Sequence, residues 1–257
     1  MKREYIYKDY TDDVVQVAGQ DFRLPEDYEW VRTDVWYRMR SFLLYCVIRV
    51  AAWIYCRMIL RVHIHDGWKL DFLEGGIMLV GNHTQEVGDA FIPVVANRRR
   101  INTIISPANL KVPVLGPMLR MIGGLAIPDG IRQLGRFGKA IAYRASQGHC
   151  IVVYPEAHVW PYYTKLRPFP STSFRYAVEN NLPVFTMTTT YRKPRHGSKP
   201  RIDVWIDGPV RDLPGGSAKE RRETLCKNAR KQMEQRCASS NYEYCTYTRI
   251  EDYFFEM

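Results

Sequence analysis

The chain has 257 residues, 46% of them hydrophobic, and Lys plus Arg outnumber Asp plus Glu by 37 to 27, a formal charge of +10. This composition supports a sizeable core and argues against global disorder, while the positive surplus favours anionic partners such as phosphates, nucleic acid or an acidic membrane leaflet. Six cysteines at 46, 56, 150, 226, 237 and 245 are scattered without a Cys-x-x-Cys pair, so neither a disulfide-stapled module nor a zinc site is expected and a reducing compartment fits better.

Residues 1–34 are rich in acids and tyrosine and read as an irregular arm, beginning without a signal-peptide apolar core. The stretch "VWYRMRSFLLYCVIRVAAWIYCRMILRVHI" (35–64) follows. Its longest uncharged run, Ser41 to Ile48, is too short to span a bilayer. Arg49, Arg57 and Arg61 fall within roughly one third of a turn, with apolar residues filling the remainder. This is the pattern of a basic amphipathic helix lying in a membrane interface, with Trp36, Tyr37, Trp53 and Tyr55 suited to that depth. A core helix with a solvated arginine stripe is the bland alternative.

Strands and helices then alternate. "GGIMLVGN" is a buried strand, "INTIIS" another, "VPVLGPMLRMIGG" a short helix and "LAIP" a strand. Residues 131–148 are helical, "CIVVYPEA" is an apolar strand ending in Pro-Glu, "STSFRYAVENN" is helical, and "LPVFTMTTTYR" and "RIDVWIDGPV" are strands around a basic hairpin loop at 191–201. Residues 217–238 form a charged amphipathic helix, and the tyrosine-rich tail is uninformative. The alternation predicts an α/β fold with a mainly parallel central sheet flanked by helices. The expected division is an arm (1–34), membrane-associating helices (35–64), a catalytic domain (65–240) and a tail (241–257).

Ligands in open α/β sheets sit at the carboxyl ends of strands. Two candidates occur there: "HTQEVGD", His83 to Asp89, and Tyr154-Pro155-Glu156-Ala157. A histidine oriented by a carboxylate can deprotonate a hydroxyl. On a continuous helix His83 and Asp89 would point about 120° apart, so the chain must turn between them. Gly88 permits such a turn. A helix starting near Asp89 would fix that carboxylate close to a helix N-terminus. Alone, this spacing fits a capping or turn cluster as well as catalysis.

"GNHTQEVGD", "GGLAIPDG", "VVYPEA" and "NNLPVFTMTT" resemble, in that order, the four blocks of the glycerolipid acyltransferases, the 1-acyl-glycerol-3-phosphate acyltransferase-like proteins. The resemblance covers roughly residues 60–210. It implies an α/β fold and transfer of an acyl group from a CoA or carrier-protein thioester to a glycerolipid hydroxyl, with attachment to the cytoplasmic face of a membrane, peripheral or monotopic. It implies His83 as the base and Asp89 as its orienter, with Glu86 an open alternative. It also implies Pro155, Glu156 and Leu182-Pro183 as block residues, backbone N–H groups for the oxyanion, and neither metal nor cofactor beyond the acyl thioester.

Three departures stand out. Five residues separate His83 from Asp89 where the family has four. Pro128 and Asp129 stand where the second block carries an arginine. The third block reads Pro155-Glu156-Ala157-His158-Val159 in place of Pro-Glu-Gly-Thr-Arg. The usual acceptor, lysophosphatidate, is therefore in question. Substitute phosphate contacts are Arg132, Arg136 and Lys139, which share one helix face, or Lys165 and Arg167; a solvated basic face is the alternative. His158 reads as a loop residue. A nucleic-acid-binding module and a catalytically silent membrane relative are the competing readings; no segment interleaves basic and aromatic residues as a stacking platform would, and no nucleic-acid partner is expected.

Overall fold

The computed structural model describes residues 3–15, 22–112 and 115–253. Seven strands form the central sheet: β2 (Val62–His65), β3 (Ile77–Gly81), β4 (Ile101–Ile105), β5 (Gly124–Ala126), β6 (Cys150–Val153), β7 (Val184–Arg192) and β8 (Arg201–Asp207), in the order β2-β8-β7-β3-β6-β4-β5. Every neighbouring pair is parallel except the β7–β8 hairpin.

β3 lies mid-sheet and all five of its residues are buried, so it reads as a continuous apolar run instead of an alternating one. The period of two divides it between two cores. Met78 and Val80 join Phe137, Ile141, Leu225 and Met233 on one face. Those partners come from α4 (Ile131–Ser146) and α6 (Ala218–Cys237). Ile77 and Leu79 join Tyr45, Ala52, Cys56 and Ile92 on the other, where α1 (Val35–Ile54) and α2 (Gly88–Ala96) pack. Two shorter helices, α3 (Leu115–Ile122) and α5 (Arg175–Glu179), complete the layers.

The segment expected to be helical through 64 divides differently. α1 continues through a π-helical turn, Tyr55–Ile59, and ends there; Val62–His65 is a strand at the sheet edge. Arg61, with φ +54°, lies outside the helix, so the expected three-arginine stripe does not form. Arg49 turns inward and donates to the carbonyls of Asn97 and Arg98, the exposed C-terminal end of α2. Ser41 donates to the Met121 carbonyl at 2.5 Å. Ser41 and Arg49 of α1 thus bond to the protein, while Arg38 and Arg40 near its start are exposed. Trp36, Phe42, Leu43, Val47, Val50, Trp53 and Met58 are exposed as well. The stretch Val35–Ile59 is 25 residues, long and apolar enough to cross a membrane by length and composition, which the count of uncharged residues alone had placed out of reach.

The arm and tail also differ from expectation. Arg3–Tyr7 forms β1 and pairs in parallel with β9 (Cys245–Arg249) in a separate two-stranded sheet. Leu24, Tyr28 and Trp30 are buried against the α4 side of the core, and Trp30 Nε1 donates to the Ala126 carbonyl at 2.8 Å.

Candidate active site

The register of the sheet brings the two expected motifs together. Val80 pairs with Val153 across the parallel β3–β6 ladder. Three residues beyond each lie His83 and Glu156, at the carboxyl end where open α/β sheets bind ligands. The His83 backbone N–H donates to Glu156 Oε2 at 3.0 Å.

His83 Nδ1 lies 2.7 Å from Asp89 Oδ2. The chain turns at Glu86 and Val87 and enters α2 at Gly88. Asp89 Oδ2 also accepts the backbone N–H of Thr84 and of Gln85, each at 2.9 Å. The carboxylate thus folds the intervening residues around itself, in the first turn of α2 where the helix dipole favours a negative group. Gly88 serves this turn by its size and not by a left-handed φ. A Cβ there would stand 2.8 Å from the Gln85 Cβ and 3.1 Å from Leu60 Cδ1. Glu86 is exposed and makes no hydrogen bond to His83 among the described contacts.

Tyr154 is a site residue to which sequence reasoning gave no role of its own. Its ring stacks on the His83 imidazole, centroids 4.8 Å apart and planes 24° from parallel. Gly81 makes room for it: a Cβ at that position would meet the Tyr154 ring at 2.5 Å. The Tyr154 hydroxyl donates to the Asp89 carbonyl at 2.6 Å. Pro93, four residues after Asp89 inside α2, lacks the N–H that would ordinarily bond that carbonyl. The phenol replaces it, and the proline was the available signal. Burial pushes the Tyr154 phenol well above its ordinary range, with the nearby Asp89 charge adding to the effect, so it acts as a donor.

Glu156 and Arg167 form an ion pair at 3.1 Å with both side chains fully buried. Arg167 also donates its backbone N–H to Glu156 Oε1 at 2.9 Å, and its guanidinium bonds the carbonyls of His158 and Tyr10. Burial pushes the Glu156 carboxyl upward, opposed by Arg167 and by the backbone donors of Arg167 and His83. Arg167, offered above as a phosphate contact, is enclosed and has no exposed surface to offer a ligand. The pair ties the loop after β6 to the backbone of His83. That loop is fastened twice more, with Trp160 N–H donating to the His83 carbonyl and Tyr162 N–H to the Thr84 carbonyl. Ala157 adopts φ +65° there, a conformation that favours glycine.

The structure separates the other sequence candidates from this cluster. Arg136 donates to the carbonyls of Glu26 and Tyr28 and lies over the Trp30 ring, which fixes the arm. Arg132 and Lys139 are exposed on α4. Arg132 begins the helix after β5, three strands from β3 in the sheet order, on the order of 14 Å at the usual strand spacing. Lys165 is exposed, and His158 lies in a loop with Nδ1 3.6 Å from Asp13 Oδ2. Leu182 and Pro183 precede β7, with the Pro183 carbonyl accepting from Met78 near the start of β3; they sit at the opposite end of the strands from His83. Among the described residues no cluster of His, Cys, Asp or Glu is arranged to hold a metal ion.

A mostly parallel sheet thus carries a carboxylate-paired histidine at a strand end, a pairing whose chemistry allows the imidazole to accept a proton. The profile of the family described as Acyltransferase matches residues 60–190, just over half of the chain and the whole of this cluster. The chain belongs to the acyltransferase family. Its fold is similar to that of the 1-acyl-sn-glycerophosphate (LPA) acyltransferase PlsC from Thermotoga maritima. The TM-score is 0.51 over 80% of this chain and 100% of that one, at 14% identity. No curated protein matches the chain.

Proposed function

We propose that the chain moves a fatty acyl group from a CoA or carrier-protein thioester to the hydroxyl of a lysophospholipid-type acceptor. The observation that carries this reading is the 2.7 Å contact between His83 Nδ1 and Asp89 Oδ2. A carboxylate oxygen that also receives two backbone N–H groups is an acceptor. It keeps the imidazole proton on Nδ1 and leaves the Nε2 lone pair to act as base. His83 is partly exposed and Asp89 is not, so the base meets the substrate and the orienter stays dry. The acceptor hydroxyl gives its proton to Nε2 while its oxygen bonds to the thioester carbonyl carbon. The carbon–sulfur bond then breaks, and the thiolate leaves with the proton returned by the imidazolium. No acyl-enzyme is needed.

The α1 helix supports attachment to a membrane surface. One face is packed on the domain along its length, through Ser41, Tyr45, Ala52 and Cys56, and the other presents the apolar residues. That is the design of a helix lying in the interface, not of one surrounded by lipid. Its far end approaches the start of α2, where Tyr55 packs edge-on against Phe91 and Leu60 borders Gly88. A lipid entering along α1 arrives beside His83. The six free cysteines suit the reducing, cytoplasmic face.

The test is transfer of labelled acyl chains from acyl-CoA to lysophospholipids presented in vesicles. Label appearing in diacyl product supports the reading. Label remaining on the thioester across donor lengths and acceptors would overturn it.

A further inference from the structure

A cavity of about 460 Å³ opens between the β1–β9 sheet and the His83 loop. Its walls include Arg3, Tyr5, Glu86, Tyr162, Tyr242 and Tyr244, and its size lies within the range of small-ligand sites. We propose that this cavity is the acceptor headgroup site and that it takes an alkylammonium group, which makes the acceptor a zwitterionic lysophospholipid and not a phosphate monoester. The proposal rests on the acyl-transfer reading of His83.

Position is the first argument. Glu86 is three residues after His83 in the same loop. Tyr162 is fastened to that loop by its N–H bond to the Thr84 carbonyl, next to the Trp160 bond to His83 itself. The Glu86 charge acts on Arg3 and Cys245 in the cavity and on Tyr55 at the end of the apolar helix. A lipid with its chain along α1 and its headgroup in the cavity has its glycerol at the His83 loop.

The second argument is chemical. Among the described residues, four tyrosines and one carboxylate line the space. Tyr162 and Tyr244 meet at 63° with centroids 4.7 Å apart, forming a corner of aromatic surface. Ring faces carry negative quadrupole density and attract quaternary and primary ammonium groups. Glu86 makes no ion pair among the described residues, so its charge is available to a ligand. Arg3 is the cation among the described residues of the lining, suited to the one negative charge of a phosphodiester. Among the described lining residues a dianionic monoester would meet the Glu86 carboxylate beside Arg3.

Arg3, Tyr5, Tyr242 and Tyr244 lie outside residues 60–190, the part matched by the family. Those four residues of the headgroup wall thus come from the arm and the tail, outside the part the family profile matches.

Two measurements on the full chain test the proposal. Calorimetric titration with phosphocholine, and separately with glycerol 3-phosphate, reads the cavity without catalysis. Phosphocholine is expected to bind about tenfold more tightly, and Glu86→Gln to weaken it by about tenfold. In the transfer assay, lysophosphatidylcholine is expected to surpass lysophosphatidate in kcat/KM, with Glu86→Gln and Tyr244→Leu raising its KM far more than they lower kcat. Phosphocholine that fails to bind, or binds equally well to Glu86→Gln, overturns the proposal, as does a preference for lysophosphatidate. Glu86-dependent phosphocholine binding with no acceptor acylated would sink the acyl-transfer reading and leave the cavity assignment standing. Acylation blind to the headgroup would do the reverse.

Discussion

Asp89 Oδ2 reaches His83 Nδ1 at 2.7 Å across five intervening residues because the same oxygen also binds the backbone N–H of Thr84 and Gln85. The chain turns between His83 and Asp89 at Glu86 and Val87 before α2 begins at Gly88. Asp89→Asn keeps the shape but replaces an acceptor by a group that can also donate, so the preferred imidazole tautomer is lost. Transfer turnover is expected to fall by about 100-fold or more with acceptor KM little changed. Steady-state kinetics check this; a fall of less than about threefold contradicts the assigned role.

The buried Glu156–Arg167 pair is expected to act on folding before it acts on rate. Removing one partner leaves an uncompensated charge in the interior. Glu156→Gln or Arg167→Met should each cost about 3–5 kcal/mol. The double replacement should cost clearly less than the sum, because no lone charge remains. Urea unfolding of the three variants reads the coupling directly. Additive losses would mean that the two side chains do not interact as their 3.1 Å separation indicates.

His149 sets a pH dependence remote from the site. Burial, with Arg144 and Arg100 nearby, pushes its imidazole down to about 4, and its Nδ1 lies 2.7 Å from Asn102 Oδ1. The folded pKa is below the unfolded value of about 6.5, so the unfolded chain binds the proton first as pH falls. The neutral-histidine contribution is complete above about 6.5 and is lost as pH falls towards 4, amounting to at most about 3 kcal/mol. His149→Gln should flatten the stability profile within that window and leave the profile above pH 7 unchanged in slope. Denaturant unfolding at pH 7 and pH 4.5 decides it, and identical slopes for both chains would refute it.

The outward face of α1 makes a separate prediction. Val47 and Trp53 are 65% and 54% exposed, so replacing both by Glu leaves the packed face intact. Thermal stability should change by less than about 1 kcal/mol. Co-sedimentation with anionic vesicles should fall by about tenfold or more, since apolar area is lost and like charge is added. Unaltered sedimentation would remove α1 from the membrane contact.

The elements most legible in the sequence were those whose pattern is local. Ile77–Gly81 and Cys150–Val153 are apolar runs bounded by polar or glycine residues, and Ser217 with Glu220 closes a capping box at the start of α6. His83, Asp89 and Glu156 could be found because strand ends are where such residues gather, and the β3–β6 register does the rest. Four features depended on distant partners and were not legible. Val62–His65 becomes a strand only because β8 offers an edge. Arg49 turns inward because the end of α2 exposes carbonyls. Arg167 is spent on Glu156. The arm is ordered by Trp30 and Arg136. None of these leaves a periodicity in its own segment.

The most direct test of the central claim is single-turnover transfer from labelled acyl-CoA to a lysophospholipid by the chain and by His83→Ala, with folding of the variant checked by its unfolding midpoint. The account predicts that the folded variant loses transfer by about 1000-fold, within the range of a removed general base. A folded His83→Ala chain that still transfers at a comparable rate would contradict it.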